Sequence, residues 1–266
     1  MTAGIRPALT LKHLTSGDAD PVIVTDFLRL SAVPLLSNVL AGEARGHAVF
    51  AVDPVADLAR CRAFVPLAEL AAGYADAFSA AAPPAERIVV IGYCATATLA
   101  LRIAARLAGS SQVRAILIQP SWPNTAMISA DMAGFRADLR VTNGSPDDLD
   151  GDPGTVLHRL ERVLQADMHA MARASGLTTS VGVTRALADL LDRYRAWLGF
   201  LLASRAALDR PWHHGVPVDV IAGTSGPAAV PWLGPGSYAI TRLALPDGER
   251  LAAALLAHSA LALADG

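Results

Sequence analysis

Only two cysteines, Cys61 and Cys94, occur in 266 residues, too few for a disulfide framework, so a reducing compartment is the expected setting. Lysine is scarcer still: Lys12 stands alone, and every other basic side chain is arginine. Charge of either sign is thin, with a net −2 and a pI near 6.4, which leaves no basic field for nucleic acid or an anionic membrane surface. No run reaches the roughly 18 uncharged apolar residues of a membrane span, and the first ten residues carry no apolar signal core, so a cytoplasmic protein is expected. The seven histidines are scattered, with no carboxylates at ligand spacing, so no metal site is expected. Glycine-rich phosphate loops are missing too, and no cofactor is expected.

Apolar residues, by contrast, make up 53% of the chain, enough for a sizeable core in one large domain or two small ones. They fall into short β-branched runs at 21–25, 47–52, 87–91, 113–118, 216–222 and 238–243. Helical patterns follow at 34–44, 66–80, 97–108 and 249–263. Continuously apolar strands alternating with helices predict an α/β protein with a doubly wound, mostly parallel sheet covered on both faces. Residues 126–212 break the rhythm: they hold two amphipathic helical patterns, 155–174 and 184–208, and no strand. Two readings fit, a helical lid inserted in a core formed by 1–125 and 213–266, or an ordinary helical subdomain without a gating role.

The segment Ile88-Val89-Val90-Ile91-Gly92-Tyr93-Cys94-Ala95-Thr96 runs from a buried strand straight into an alanine-rich helix. A thiol at such a helix N-terminus meets the positive end of the macrodipole, which favours the thiolate nucleophile. The Ala95 amide, among the first of that helix, is placed to bind a developing oxyanion. The alternative is that Cys94 is one more small buried residue. Cys61, on a helical stretch among arginines, reads as structural or incidental.

The form Gly92-x-Cys94-x-Thr96 resembles the nucleophile elbow of the α/β-hydrolase fold, Gly-x-Ser-x-Gly, with cysteine for serine and threonine for the second glycine. Asp53-Pro54 after the second strand, the position of the helical insertion and the two late strands are similar to carrier-protein thioesterases of that fold. The cysteine elbow further resembles the Dieckmann cyclases that release tetramate or pyridone rings. The resemblance implies an α/β-hydrolase fold with a helical lid, and an acyl or peptidyl carrier protein as partner, presenting its chain as a phosphopantetheine thioester.

A triad also needs a base and a group to orient it. Family carboxylates follow the strand before the lid or the one after it. Here those places read Gln119-Pro120-Ser121-Trp122-Pro123-Asn124 and Ala222-Gly223-Thr224-Ser225-Gly226-Pro227, without Asp or Glu. Asn124 and Asp131 are the remaining candidates to orient a base. The turn after the last strand, Leu245-Pro246-Asp247-Gly248-Glu249, lacks the family's histidine. His258 is then the candidate base, if the last helix starts late; the alternative is a histidine satisfied within that helix. His158 and His169 belong to the insertion, while His213 and His214 precede a strand and so fall at the end of the sheet opposite Cys94. Where the family carries a glycine-rich oxyanion turn, the chain has Asp26-Phe27-Leu28-Arg29-Leu30, and Phe27 is the candidate for a second oxyanion amide.

The leading expectation is an enzyme that takes a polyketide or peptide chain onto Cys94 and releases it by Dieckmann-type cyclisation. An acyl or aminoacyl shuttle, a hydrolytic thioesterase, and a non-catalytic acyl- or carrier-binding relic are the alternatives.

Overall fold

The computed structural model describes residues 9–27, 35–44, 46–141, 149–176, 181–208, 215–224, 238–244 and 249–264. Among the described residues, seven strands form one sheet in the order β1-β3-β2-β4-β5-β6-β7. They are β1 (Leu11–Thr15), β2 (Ala19–Thr25), β3 (His47–Val52), β4 (Arg87–Tyr93), β5 (Gln112–Ile118), β6 (Val218–Gly223) and β7 (Ala239–Leu243). Only β1 pairs antiparallel, with β3; the other five pairings are parallel. All six strands expected from the sequence are present. β1 is additional, and its sequence Leu-Lys-His-Leu-Thr hides it, because a half-exposed edge strand lacks the continuous apolar run of a central one.

Alternation along the strands divides the core. Val22, Val24, Val89, Ile91, Ile116 and Ile118 face α1 (Leu36–Glu43) and α8 (Glu249–Ala264), which contribute Leu36, Leu40 and Leu256. The opposite face carries α3 (Leu67–Ala81) and α4 (Ala97–Leu107), and there Phe50 of β3 meets Phe78 of α3 edge-on at 5.3 Å. Ile91, Ile116 and Ile118 are no more than 1% exposed, and burial of such side chains contributes about 1.5–3 kcal/mol each.

The chain divides into two compact units. The one just described spans Ala8–Pro54, Leu67–Trp122 and Arg210–Gly266. The other takes in Val55–Pro66 and Pro123–Asp209, and its described residues form helices only: α2 (Pro54–Cys61), α5 (Thr125–Asp138), α6 (Pro153–Ala174) and α7 (Val181–Leu208). The two long helices match the expected patterns. α5 was not foreseen, because it buries only Ile128 and Met132 and so shows no apolar stripe. Within this unit Arg195 of α7 is a buried cation at the C-terminus of α2. Its Nη2 donates to the Leu58 carbonyl at 3.1 Å, meeting the negative end of that helix. Phe135 stacks on Tyr194 at 4.0 Å; burial, and secondly the charge of Asp138 that accepts its hydroxyl, push the Tyr194 pKa up to about 12.

Candidate functional site

β4 ends at Tyr93 and the chain turns into α4 through a short 3-10 turn, Cys94–Thr96. Cys94 has φ +52°, the left-handed region that costs a residue with a β-carbon on the order of 1–3 kcal/mol. Its side chain is half-buried. The turn closes because Gly92 has no side chain: a β-carbon there would lie 2.6 Å from Ala100 Cβ and 2.8 Å from Ala97 Cα. Helix α4 thus sits directly on the end of β4, and Cys94 is held up at the C-terminal edge of the sheet, on its middle strand.

Two threonines lie beneath the turn, neither of them exposed. The Thr96 hydroxyl accepts from Tyr93 N–H at 3.2 Å and lies 2.5 Å from the Thr25 carbonyl and 2.8 Å from the Tyr93 carbonyl. The Thr25 hydroxyl in turn is 3.1 Å from Thr96 Oγ1 and 3.3 Å from the carbonyls of Ile91 and Thr96. Thr25 ends β2 and pairs with Gly92.

A second strained residue stands on the neighbouring strand. Gln119, just past β5, has φ +45° and donates its N–H to the Ile221 carbonyl at 2.7 Å, while Ser121 N–H donates to the Cys94 carbonyl at 3.1 Å. On the other side, Asp26 follows β2 and is 2% exposed; its Oδ2 accepts from Ser37 N–H at 2.8 Å at the start of α1. Desolvation by burial is the main cause that pushes the Asp26 pKa up to about 6, with the Ser37 hydrogen bonds opposing it and the charge of Asp53 adding to it. A cleft of about 700 Å³ opens at the opposite edge of the sheet, where Asp20 pairs with Arg87 and Arg114 with Asp219.

No protein-family model and no curated protein matches the chain in sequence. Solved structures do match in shape. The Vlm2 thioesterase domain, carrying genetically encoded 2,3-diaminopropionic acid and bound with a tetradepsipeptide, superposes with a TM-score of 0.54 at 16% identity, over 97% of this chain and 98% of that one. An α/β-hydrolase family protein from Desulfitobacterium hafniense gives 0.54 at 14% identity, over 96% and 98%. YbtT, a type II thioesterase from the yersiniabactin NRPS/PKS biosynthetic pathway, gives 0.52 at 16% identity, over 96% of each chain. The chain has the α/β-hydrolase fold. Cys94 stands at the apex of the turn that joins β4 to α4.

The α/β-hydrolase framework places the sequence-derived candidates as follows. Ala95 is fully buried in the elbow turn. Phe27 lies two residues past Thr25, at the same sheet edge and one strand over; the next residues, 28–34, are outside the described ones. His258 is exposed on α8, which begins at Glu249 rather than late and packs through Leu256, Ala257, Ala260 and Leu261. The Leu263 carbonyl accepts from Arg114 near the start of β5, so α8 descends toward the edge opposite Cys94, and His258 stands only about 7 Å of helix rise above that end. Asn124 is the N-cap of α5, its Oδ1 accepting from Met127 N–H at 2.9 Å. Asp131 accepts from Trp197 Nε1 at 2.7 Å, and burial raises its pKa. Both side chains thus serve the helical unit. His158 and His169 are exposed on α6; His213 and His214 lie outside the described residues, as do 225–237.

Sequence reasoning passed over Thr25, Gln119 and Asp26. In the sequence Thr96 stands out as a departure from the glycine, and its signal is a hydroxyl at a turn, which asks for partners when buried. The strain at Gln119 left no sequence signal. Among the described residues no group of three or more His, Cys, Asp or Glu gathers around a point where one metal ion would sit.

Proposed function

We propose that the chain is a thioesterase-like acyl-transfer enzyme of natural-product assembly. A carrier protein presents the chain as a phosphopantetheine thioester. Cys94 sulfur attacks the carbonyl carbon, the carrier thiol leaves with the proton, and the acyl group becomes a Cys94 thioester. Ala95 N–H and Phe27 N–H are the proposed donors to the oxyanion, with residues 126–212 as a lid. A carbon acid between two carbonyls of the bound chain then loses its proton and attacks the Cys94 thioester; the new carbon–carbon bond closes a ring, and the Cys94 thiolate that departs takes up a proton. The observation that carries this reading is the elbow: a strained, half-buried cysteine on the middle strand of an α/β-hydrolase sheet, with a helix docked on Gly92 beneath it. A thioester on sulfur keeps the acyl group activated for a carbon nucleophile.

The second reading is an acyl or aminoacyl shuttle. It is favoured by the histidines: among the described residues none is hydrogen-bonded to Cys94, and thiol–thioester exchange asks less of a base than hydrolysis does. The deciding measurement is intact mass after incubation with a short β-ketoacyl-aminoacyl thioester, with Cys94→Ala alongside. The parent alone should gain the acyl mass and ring product should appear in solution. A lasting adduct with no ring would favour the shuttle. Acylation of Cys94→Ala to the same extent, or no acylation of the parent by any of several thioesters, would overturn the acyl-enzyme reading in favour of a binding module.

A further inference from the structure

We infer that the buried Thr25–Thr96 hydroxyl pair is a positioning clasp for the acyl-transfer step, holding the elbow amide of Ala95 in register with the strand end that carries Phe27. The inference rests on the proposed role of Cys94 as an acyl-accepting nucleophile and assigns that site a further working part.

A hydroxyl has one proton to donate and two lone pairs to accept with. Thr96 Oγ1 uses all of them: it accepts from Tyr93 N–H and from the Thr25 hydroxyl, and its proton lies between the Thr25 carbonyl at 2.5 Å and the Tyr93 carbonyl at 2.8 Å. Both backbone polar groups of Tyr93, the residue before Cys94, are therefore fixed by the side chain three positions further on. The same oxygen holds the Thr25 carbonyl, from which the chain leads through Asp26 to Phe27. One side chain thus ties the apex of the elbow to the end of β2. A glycine or an alanine at residue 96 would have no such reach, and the β2 end would be joined to the elbow by strand pairing and by the longer 3.3 Å contacts of the Thr25 hydroxyl with the Ile91 and Thr96 carbonyls.

The tie has two consequences. It opposes relaxation of Cys94 from φ +52°, because rotating that residue moves the Tyr93 peptide away from Thr96. It also steadies the separation of the two proposed oxyanion donors, which lie just beyond the ends of two paired strands, Ala95 in the turn after β4 and Phe27 two residues past β2. A donor displaced by about 1 Å costs on the order of 100-fold in rate.

Two reactions of the same thiol separate this role from a general structural one. Alkylation of Cys94 by iodoacetamide develops no oxyanion, whereas acylation by a carrier-type thioester does. Thr96→Val, which keeps the shape and removes the hydroxyl, should lose about 100-fold in acylation rate while alkylation stays within about 3-fold. Thr96→Ser should recover acylation to within about 5-fold of the parent, since the hydroxyl returns. Should Thr96→Val fold poorly, Thr96→Ala removes the same hydroxyl with less bulk and supplies the same test, with thermal melting recorded for each.

Acylation and alkylation falling together, or Thr96→Val acylating within 3-fold of the parent, would overturn the clasp. A parent protein that is alkylated but never acylated would overturn the acyl-enzyme reading itself, an outcome distinct from loss in the variants alone.

Discussion

Gly92→Ala should cost about 3 kcal/mol of stability and slow acylation of Cys94 by about 100-fold. The cause is geometric. Its β-carbon would be 2.6 Å from Ala100 Cβ and 2.8 Å from Ala97 Cα, and the second of these is backbone in the first turn of α4. Helix and strand must part by several tenths of an ångström, or the turn must open; either way Cys94 and Ala95 move together. Chemical denaturation monitored by circular dichroism gives the stability term, and intact-mass kinetics the acylation. A companion substitution sharpens the cause. Ala100→Gly in the same chain removes the nearer of the two contacts and leaves Ala97 Cα, so the double variant should recover part of the loss. A double variant no better than Gly92→Ala, or a single variant with parental stability, would refute the contact as the source.

Asp26→Asn should stabilise the protein at pH 8 by about 2–3 kcal/mol, with the gain vanishing as the pH approaches 4. The folded-state pKa of Asp26 is about 6, above its ordinary 3.8, chiefly because burial disfavours the charge. A carboxyl raised in this way binds its proton more tightly in the folded state, so between about pH 4 and 6 the folded protein holds more protons than the unfolded one. Stability therefore falls as pH rises through that window and is level above it. A shift of about two pKa units corresponds to about 3 kcal/mol. Asparagine retains an acceptor for Ser37 N–H but gives up the attraction of a negative charge to the start of α1, which trims the gain. Urea unfolding at pH 4, 5, 6, 7 and 8 on parent and variant checks this. A difference that does not change with pH, or a variant less stable at pH 8, would show that the buried carboxylate is held by compensating charge instead.

The sheet was readable in the sequence because its strands are buried on both faces. Val22-Ile23-Val24 and Ile88-Val89-Val90-Ile91 have no polar interruptions, and the parallel arrangement follows from that continuity. β1, with Lys12 and His13 on an edge, and α5, with two buried residues, gave no comparable pattern. The elbow was legible because Gly92 and Cys94 have fixed spacing along a strand-to-helix turn. Its partners were not, because they come together through pairing of distant segments. Thr25 meets Thr96 across 71 residues of sequence, and spacing carries no trace of such contacts. The placement of His258 depends on helix geometry that distance from the last strand does not carry. A helix that begins at Glu249 and passes over the sheet carries His258 down and out to solvent, whatever its proximity in sequence to the turn.

The position of β4 in the order β1-β3-β2-β4-β5-β6-β7 has a consequence for how the protein fails. Three strands lie on each side of it, so fluctuations that peel away β1 or β7 leave the strand beneath Cys94 fully paired. Local openings draw first on edge elements, and central strands exchange their amide protons only when most of the structure gives way. The amides of Val90 and Ile91 should accordingly be among the slowest to exchange in deuterated water, and those of β7 among the quickest. Heated gradually, the chain would lose its outer strands before the strand beneath Cys94, and thiol reactivity at Cys94 would change in a single step at the main unfolding transition.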